Sequence, residues 1–186
     1  MADSQNEIKI ALLGYEKTGK TTFIKYLEKK SIEDINFFEY QPTSGASYHS
    51  QELIYDNNYY QLNLWDTSGE EKYESLTKFF YRDADIILLF FSYNNKESFQ
   101  KAKYLLKLVK DFNIKSNVII ALIGNKYQEK NCSDEHNIKV SEEEVLEFAQ
   151  KKNLIYGHLS ILENYSNGII ELVYKIMREY TKKNKK

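Results

Sequence analysis

The chain has 186 residues, of which 42% are hydrophobic, so it has the length and composition of one globular domain with a substantial core. Its 26 Lys and Arg residues balance 27 Asp and Glu residues, and this near-neutral charge gives no electrostatic reason to expect a nucleic-acid partner. The single cysteine, Cys132, excludes an intrachain disulfide and suits a reducing compartment.

Neither end of the sequence carries a recognisable membrane signal. The first 20 residues lack the apolar stretch of a signal peptide, and the longest apolar run, 86–91, suits a buried strand but is too short to span a bilayer. The chain ends in a lysine-rich tail, 182–186, without a cysteine for prenylation, and Ala2 excludes N-myristoylation. Four lysines would attract an anionic membrane at about 1 kcal/mol each, although a solvated helix tail is the simpler interpretation. We therefore expect a cytoplasmic protein with at most weak or indirect membrane contact.

Strand and helix patterns alternate along the chain. The segment 31–47 is polar and aromatic, contains the only proline, Pro42, and is interpreted as a long loop. The residues 56–58 separate two strand patterns and indicate a hairpin. The strand patterns cover 8–14, 48–55, 59–65, 84–91, 117–124 and 153–159. The helix patterns cover 21–30, 98–111, 145–150 and 169–180.

This alternation predicts an α/β fold with a mostly parallel six-stranded sheet, one antiparallel strand and helices on both faces. Ligands of such sheets bind outside the carboxyl ends of the strands, so the residues after Leu13, Trp65, Leu122 and Leu159 are the first candidates for a site. No repeat or linker divides the sequence. We expect a single domain over 1–186, with a short flexible N-terminus (1–6) and a lysine-rich C-terminal tail (181–186).

The segment 14–21, GYEKTGKT, matches the phosphate-binding loop pattern G-x-x-x-x-G-K-[ST] without a gap. Glycines allow the backbone to wrap a phosphate with several N–H groups pointing inward. Lys20 would reach the β- and γ-phosphates, and the Thr21 hydroxyl would bind Mg²⁺. The strand pattern before the motif and the helix pattern after it give the context that the motif requires, so the fold class is a P-loop NTPase.

A second motif, 64–71, places a carboxylate at the end of a strand. Asp66 would hold the magnesium ion or its water opposite Thr21. Gly69 would let a backbone N–H group approach the γ-phosphate. An Asp followed by a Gly is by itself usually a turn, but its place at the end of the third strand after a P-loop favours a metal site.

With these motifs the chain resembles a small GTPase of the Ras superfamily, most closely the Rab branch, over residues 7–180. The resemblance implies a guanine-nucleotide switch that binds GTP and GDP with Mg²⁺ and hydrolyses GTP slowly. It rests on the P-loop and on the segments 42–45 (PTSG), 65–69 (WDTSG), 80–84 (FYRDA), 92–99 (SYNNKESF) and 124–126 (GNK).

The resemblance also implies a role for individual residues. Thr43 matches the switch I threonine that joins Thr21 and Asp66 as a magnesium ligand, and 69–81 matches switch II. Lys20 and Glu70 occupy the catalytic positions. Effector, exchange and activating proteins would bind through the switch regions of a monomer. The other expected nucleotide contacts are Gly14, Glu16, Lys17, Thr18, Gly19, Thr22, Gly69, Asn125, Lys126, Gln128, Ser160 and Ile161.

The base-reading motif departs from the family pattern. The family has Asn-Lys-x-Asp, whereas this chain has Asn125, Lys126, Tyr127 and Gln128. The family aspartate accepts two hydrogen bonds from guanine, but the neutral glutamine offers one carbonyl acceptor on a longer side chain. Since charge-assisted hydrogen bonds are roughly twice as strong as neutral ones, we expect weaker guanine affinity and selectivity.

The catalytic position also departs from the family, because Glu70 replaces the water-orienting glutamine. An ionised carboxylate near the γ-phosphate is electrostatically unfavourable and has no N–H to donate, so we expect slow hydrolysis. Glu16 and Lys17 stand where relatives carry small residues, and they either face the phosphates or point to solvent. The late Ser-Ala-Lys motif is degraded to 160–162, and the aromatic beside the base is unassigned between Phe37 and Phe38.

Three functions are compatible with this pattern. The leading hypothesis is a divergent Rab-like GTPase switch in vesicle traffic or signalling. The main alternative is a pseudo-GTPase scaffold that binds nucleotide weakly or without base selectivity and does not hydrolyse it usefully. A P-loop ATPase or kinase is the weakest, because the elements around Thr43 and Asp66 fit a switch better.

Overall fold

The computed structural model describes residues 6–29, 43–69, 74–113, 115–126, 139–160 and 165–184. Within these residues six strands and five helices alternate along the chain, except that β2 is followed directly by β3 in a hairpin. The strands are β1 (Asn6–Gly14), β2 (Ala46–Tyr55), β3 (Asn58–Thr67), β4 (Ile86–Ser92), β5 (Ile119–Lys126) and β6 (Ile155–Ser160). The helices are α1 (Lys20–Lys29), α2 (Glu74–Tyr81), α3 (Lys96–Phe112), α4 (Glu142–Lys152) and α5 (Tyr165–Asn184).

All six strands join one sheet in the order β2-β3-β1-β4-β5-β6. Strand β2 runs antiparallel to β3, and the other neighbouring pairs are parallel. The predicted fold class is therefore confirmed. Because β1, β4, β5 and β6 are parallel, the segments that follow β1 and β5 emerge at the same edge of the sheet.

The hairpin between β2 and β3 is tighter than the sequence pattern suggested. Asn58 is the first residue of β3, which leaves a turn of two residues, Asp56 and Asn57. Both have positive φ values, 51° and 58°, as a type I′ turn requires. Asp and Asn tolerate this conformation better than most residues because their short polar side chains bond locally.

Each face of the sheet is covered by a separate hydrophobic cluster. Leu12 of β1 packs with Phe23 of α1 and Leu172 of α5 on one face. Leu13, the next residue of β1, packs with Phe99 of α3 on the other face. Successive strand residues point to opposite faces, so burial of both faces explains the nearly continuous apolar runs of β1, β4 and β5.

Several element boundaries differ from the sequence prediction. Helix α2 was not predicted as a helix, and α3 begins at Lys96 because the Asn95 side chain caps it by accepting a hydrogen bond from Ser98 N at 3.1 Å. Strand β4 begins at Ile86 rather than at residue 84. Helix α5 continues to Asn184, four residues into the segment predicted as a tail. None of the described helices combines the length and apolar composition needed to cross a membrane.

Candidate nucleotide-binding site

The loop between β1 and α1 has a conformation that glycines make possible. Gly14 has a φ of +150°, and a Cβ atom there would collide with the backbone carbonyl oxygen of Phe90 on β4. Gly19 has a φ of +98°, and Lys17 between them is left-handed at +57°. Thr18 closes the turn by donating its hydroxyl proton to Tyr15 O at 2.8 Å. A loop of mixed handedness before a helix N-terminus is suited to turn backbone N–H groups toward an anion.

Lys20 is a buried lysine, and no carboxylate in the described part of the chain forms an ion pair with it. Only 4% of its surface is exposed, and Nζ donates to Gly14 O at 3.2 Å and to Tyr15 O at 2.8 Å. Burial lowers the pKa of its ammonium group to about 8, although the charges of Asp66 and Glu16 act in the opposite direction. An anion at this loop would compensate the desolvated charge, which is the role predicted for Lys20.

Three oxygen-bearing side chains meet at the start of α1. Thr21 Oγ1 donates to Asp66 Oδ2 at 2.6 Å, and Thr43 Oγ1 donates to the same oxygen at 3.2 Å. The two threonine oxygens are 3.1 Å apart. The structure therefore brings together the three residues predicted as magnesium ligands, although 22 residues separate the threonines and 23 more lead to Asp66.

The second carboxylate oxygen of Asp66 tests whether this cluster fits a metal ion. Asp66 is fully buried, and its Oδ1 has no hydrogen-bond partner among the described residues. Burial raises the pKa of its carboxyl group, against the lowering effects of the Thr21 hydrogen bond and the Lys20 charge. A hard cation such as Mg²⁺ prefers carboxylate, hydroxyl and water oxygens, so this donor set fits it.

The chain returns to the same loop after β3. Gly69 has a φ of +78°, and a Cβ atom there would lie 2.5 Å from Gly14 O and 2.7 Å from Glu16 N. Ser68 N donates to Gly45 O at 2.9 Å, which joins the end of β3 to the segment that begins at Thr43. The backbone at Gly69 thus lies against the phosphate-binding loop, as expected for a residue that approaches a terminal phosphate.

Asn125 connects the end of β5 to the phosphate-binding loop. Its Nδ2 donates to Thr18 O at 3.2 Å, and a Cβ atom on Gly19 would lie 2.6 Å from that nitrogen. Asn125 is 5% exposed, and its Oδ1 has no hydrogen-bond partner among the described residues. This contact spans 107 positions of sequence and holds the base-reading strand against the loop that would bind the phosphates.

Lys126 lies at the carboxyl end of β5 beside a tyrosine. Its Nζ is 3.2 Å from Glu142 Oε2 and 5.3 Å from the ring centroid of Tyr93. The backbone register places Lys126 opposite Ser160 at the end of β6. The two segments predicted to contact the base therefore end side by side.

The remaining predicted residues divide into two groups. Glu16 and Lys17 are exposed, in agreement with the interpretation that they point to solvent, and Thr22 is half-buried in the first turn of α1. The other group lies outside the described residues, so its predicted roles stay predictions. It consists of Glu70, Gln128, Ile161 and the two candidate aromatics Phe37 and Phe38.

An aromatic surface that was not predicted from the sequence lies beside the segments predicted to act as switches. The ring centroids of Tyr48 and Trp65 are 5.1 Å apart, and Trp65 and Phe80 are also 5.1 Å apart. Tyr48 is 52% exposed, and the neighbouring Phe79 is 71% exposed. The rings come from β2, β3 and α2, so no local pattern in the sequence brings them together.

Fold and site together define a P-loop nucleotide-binding protein. Its cluster of Thr21, Thr43 and Asp66 joins the start of α1, the segment before β2 and the end of β3. The chain belongs to the Ras family, whose family model matches residues 9–182. Within it, the similar proteins are Rab proteins.

Three relatives illustrate the similarity. The Ras-related protein Rab-17 of Mus musculus is 31% identical over 159 residues, which are 84% of this chain and 69% of that protein. The Ras-related protein RABA4d of Arabidopsis thaliana is 29% identical over 95% of this chain and 76% of its own length. The Ras-related protein Rab-44 of Homo sapiens is 30% identical over 91% of this chain, which spans only 15% of that protein. The chain is thus a Rab-like member of the Ras superfamily.

Proposed function

We propose that this protein is a guanine-nucleotide switch that alternates between a GTP-bound and a GDP-bound form, with slow hydrolysis of GTP. The observation that carries the proposal is the convergence of buried Lys20 with the cluster of Thr21, Thr43 and Asp66. Thr43 joins this cluster through its side-chain hydroxyl, and the backbone hydrogen bond from Ser68 N to Gly45 O lies nearby. Such a contact is suited to form and break with the state of the ligand.

Each residue of the site has a separate task in this proposal. Lys20 would neutralise charge on the phosphates, and the loop from Gly14 to Gly19 would orient them through backbone N–H groups. Thr21, Thr43 and Asp66 would hold Mg²⁺, which when bound offsets negative charge on the phosphate oxygens. Asn125 would keep the base-reading strand at a fixed distance from the phosphate loop through its bond to Thr18 O.

A nucleotide titration tests the proposal. Purified protein stripped of nucleotide is titrated with GTP, GDP, ATP and XTP in the presence of Mg²⁺, and heat of binding is measured. We expect GTP and GDP to bind more tightly than ATP. Equal affinity for all four would contradict guanine specificity, and no binding of any would contradict a nucleotide switch altogether.

The second candidate function is a pseudo-GTPase scaffold. Two departures from the family sequence favour it. Gln128 replaces the base-reading aspartate and Glu70 replaces the water-orienting glutamine of the family. Single-turnover hydrolysis of preloaded GTP distinguishes the two functions. Measurable conversion to GDP supports the GTPase, whereas bound GTP that is not converted supports the scaffold.

The aromatic surface of Tyr48, Trp65 and Phe80 is where partner proteins would read the bound nucleotide. In β3, Trp65 directly precedes Asp66, and β2 begins three residues after Thr43. Both strands are therefore directly connected to the cluster of Thr21, Thr43 and Asp66. Trp65 is the only tryptophan of the chain, so its fluorescence reports this surface alone. We expect different emission spectra with GDP and with a non-hydrolysable GTP analogue. Identical spectra would contradict a switch at this surface.

The Rab-like character of the relatives supports a role in vesicle traffic. The effector, exchange and activating proteins of this chain would then be proteins that meet at membranes. Fluorescence microscopy of the tagged full chain, in its wild-type form and with Lys20→Ala, tests this role. A vesicular distribution that depends on Lys20 is expected, and an unchanged diffuse distribution of both would count against it.

A further inference from the structure

A groove of about 830 Å³ lies at the end of the sheet opposite the nucleotide site. Its floor comes from the amino ends of β5 and β6, including Ile119 and Ile155. Its rim comes from the carboxyl ends of α3, α4 and α5 and from the loop between α3 and β5. The volume lies in the range of small-molecule sites. The charged side chains of its lining are Lys110, Lys115, Lys152, Lys175, Lys183 and Glu179.

Two carboxylates at or near the groove are each paired with a lysine. Glu179 Oε1 accepts a hydrogen bond from Lys182 Nζ at 2.7 Å, outside the lining. Asp85 Oδ1 pairs with Lys115 Nζ at 2.6 Å and its other oxygen accepts from Lys9 N. These two carboxylates therefore offset only part of the lysine charge.

The lysines of the rim keep donors for a ligand. Lys175 Nζ donates to Tyr156 O at 3.0 Å and Lys183 Nζ to Val118 O at 3.4 Å, and each ammonium carries two further N–H groups. Lys110 and Lys152 are exposed, and neither has a hydrogen-bond or ion-pair partner among the described residues. Four of the five lysines can thus turn a donor into the groove.

Compensation of helix dipoles explains only part of this charge. Lys110, Lys152 and Lys183 lie in the last turns of α3, α4 and α5, where cations are favourable against about half a negative charge per helix end. Lys175 lies in the middle of α5 and Lys115 in a loop, so neither neutralises a helix end. The two carboxylates offset two of the five lysine charges, and the three helix ends together offset about one and a half more. Roughly one and a half positive charges therefore remain in the groove.

We propose that this groove binds a small ligand that carries two or more phosphate groups, as a soluble polyphosphate or as the headgroup of a phosphorylated lipid. Lysine binds phosphate as a point charge, whereas planar carboxylates are recognised best by the fork of arginine, and the lining contains no arginine among the described residues. The five ammonium groups surround the groove from four segments, so they can contact phosphates on different sides of one ligand. The site is separate from the nucleotide site and independent of the proposed switch.

The test uses the full chain preloaded with Mg²⁺ and GDP, and two probes. Inositol hexakisphosphate is the soluble probe, titrated by calorimetry. Phosphatidylcholine vesicles with and without phosphatidylinositol bisphosphate are the membrane probe, assayed by co-sedimentation. The groove variant is Lys110→Glu with Lys152→Glu. The control variant, Lys96→Glu with Lys139→Glu, makes the same change of net charge at two exposed lysines outside the groove.

We expect the groove variant to lose about tenfold to hundredfold in affinity, and the control variant to lose about threefold or less. The neutral variant Lys110→Gln with Lys152→Gln should show an intermediate loss, which separates ligand binding from a folding defect caused by charge reversal. Thermal unfolding of each variant verifies the fold. Salt should weaken binding because the contacts are exposed and electrostatic.

The two probes distinguish the sources of the phosphate groups. Binding of the soluble probe alone supports the site and assigns a small soluble polyphosphate, and binding of the doped vesicles alone supports it and assigns a lipid headgroup. Equal losses in the groove and control variants would overturn the proposal, as would no binding of either probe. An equal loss on Lys20→Ala would also overturn it, since the probe would then occupy the nucleotide site. If the titration above shows no nucleotide binding, the same probes and variants are compared on the nucleotide-free chain, so failure of the switch and failure of the groove stay distinguishable.

Discussion

The phosphate end and the base end of the candidate site are built differently. At the phosphate end, the backbones of Gly14 and Gly69 lie against their neighbours too closely for a Cβ atom, and Lys20 and Asp66 are buried. At the base end, Asn125 is held by a single side-chain hydrogen bond to Thr18 O, and Lys126 is half-exposed beside Glu142. At the first end the sequence keeps the full phosphate-loop pattern and Asp66, and departs from its relatives only at Glu16, Lys17 and Glu70. At the second end it departs at Gln128, in the base-reading motif itself.

This difference has a physical reason. The phosphate end depends on backbone geometry inside a sheet, where one substitution disturbs β1, β3 and β4 together. The base end depends on side-chain hydrogen bonds at the rim, where one residue can change without disturbing the fold. We infer that nucleotide binding in this chain rests on the phosphates more than on the base. The predictions below either break that inference or make it quantitative.

The largest effect is expected for Lys20→Ala at the phosphate end. The change removes charge-assisted hydrogen bonds to phosphate worth about 1.5–3 kcal/mol each, so nucleotide affinity should fall roughly a hundredfold or more. Wild-type protein with nucleotide at 100 times its Kd should gain about 2.7 kcal/mol of stability, and the variant should gain almost none. Thermal unfolding with and without GDP measures both.

Lys107→Ala provides the matched control, since Lys107 is an exposed lysine of α3 that lies outside the site. It should keep the full stabilisation by nucleotide. If no nucleotide changes the unfolding temperature of the wild-type protein, the phosphate end does not bind nucleotide. The scaffold function is then favoured.

The phosphate end was predicted from sequence and the base end only in part. The motif 14–21 and Asp66 sufficed because a phosphate loop requires fixed residue types at fixed spacing after a strand, and the structure brings Lys20, Thr21 and Asp66 together. The hydrogen bond of Asn125 to Thr18 O was not predicted, because it depends on how β5 and β1 are spaced across β4.

Other features were missed because their signals are local. Helix α2 is only eight residues long, too short for a clear helical period, so sequence analysis gave it no helix. The caps Asn95 and Ser141 are short polar residues that the sequence contains at the start of α3 and α4, and attention to them would have placed both helix starts correctly. The lysine groove could not be predicted, since its five lysines come from four separate segments.

The next largest effect is expected at the base end, for Gln128→Asp. A restored charge-assisted contact to the base is worth about 1.5–3 kcal/mol, so GTP affinity should rise roughly tenfold to hundredfold. Affinity for ATP should stay unchanged, because adenine lacks the N–H groups that the carboxylate would accept. Titration of both nucleotides measures the ratio. Unchanged GTP affinity would mean that other groups, such as Asn125 and the segment after β6, already hold the base.

A pair of glycine substitutions measures how strongly the phosphate end depends on backbone packing. Gly14 and Gly45 both have positive φ values, +150° and +76°, so alanine is strained at both. At Gly14 the new Cβ atom would meet the backbone of Phe90. At Gly45, apart from the chain neighbours, no heavy atom of the described residues lies within 4 Å of the added Cβ atom. Gly14→Ala should therefore cost about 1–3 kcal/mol more than Gly45→Ala.

Urea denaturation of both glycine variants gives the two free energies of unfolding. Comparable values would show that the close approach of β1 to β4 relaxes easily. In that case the phosphate end would be no more rigid than the base end, and the contrast between the two would fail.

The smallest effect is expected for Glu70→Gln, which tests hydrolysis rather than binding. Catalysis of phosphoryl transfer depends on positioning and electrostatics, and an ionised carboxylate near the γ-phosphate opposes the charge there. At about 4 Å in water this repulsion is ~1 kcal/mol, so the glutamine should speed single-turnover hydrolysis about fivefold. The amide also offers an N–H donor that an ionised carboxylate lacks.

The opposite result has its own meaning. If Glu70 is a working general base, the glutamine variant should be slower, and the wild-type rate should fall as pH drops through the pKa of the carboxyl group. Rates for wild type and variant across pH, with protein preloaded with GTP, therefore separate repulsion from base catalysis. A slower variant at neutral pH contradicts the repulsion argument. No turnover by either protein, with GTP still bound, would show that the intact phosphate end serves binding alone and would favour the pseudo-GTPase.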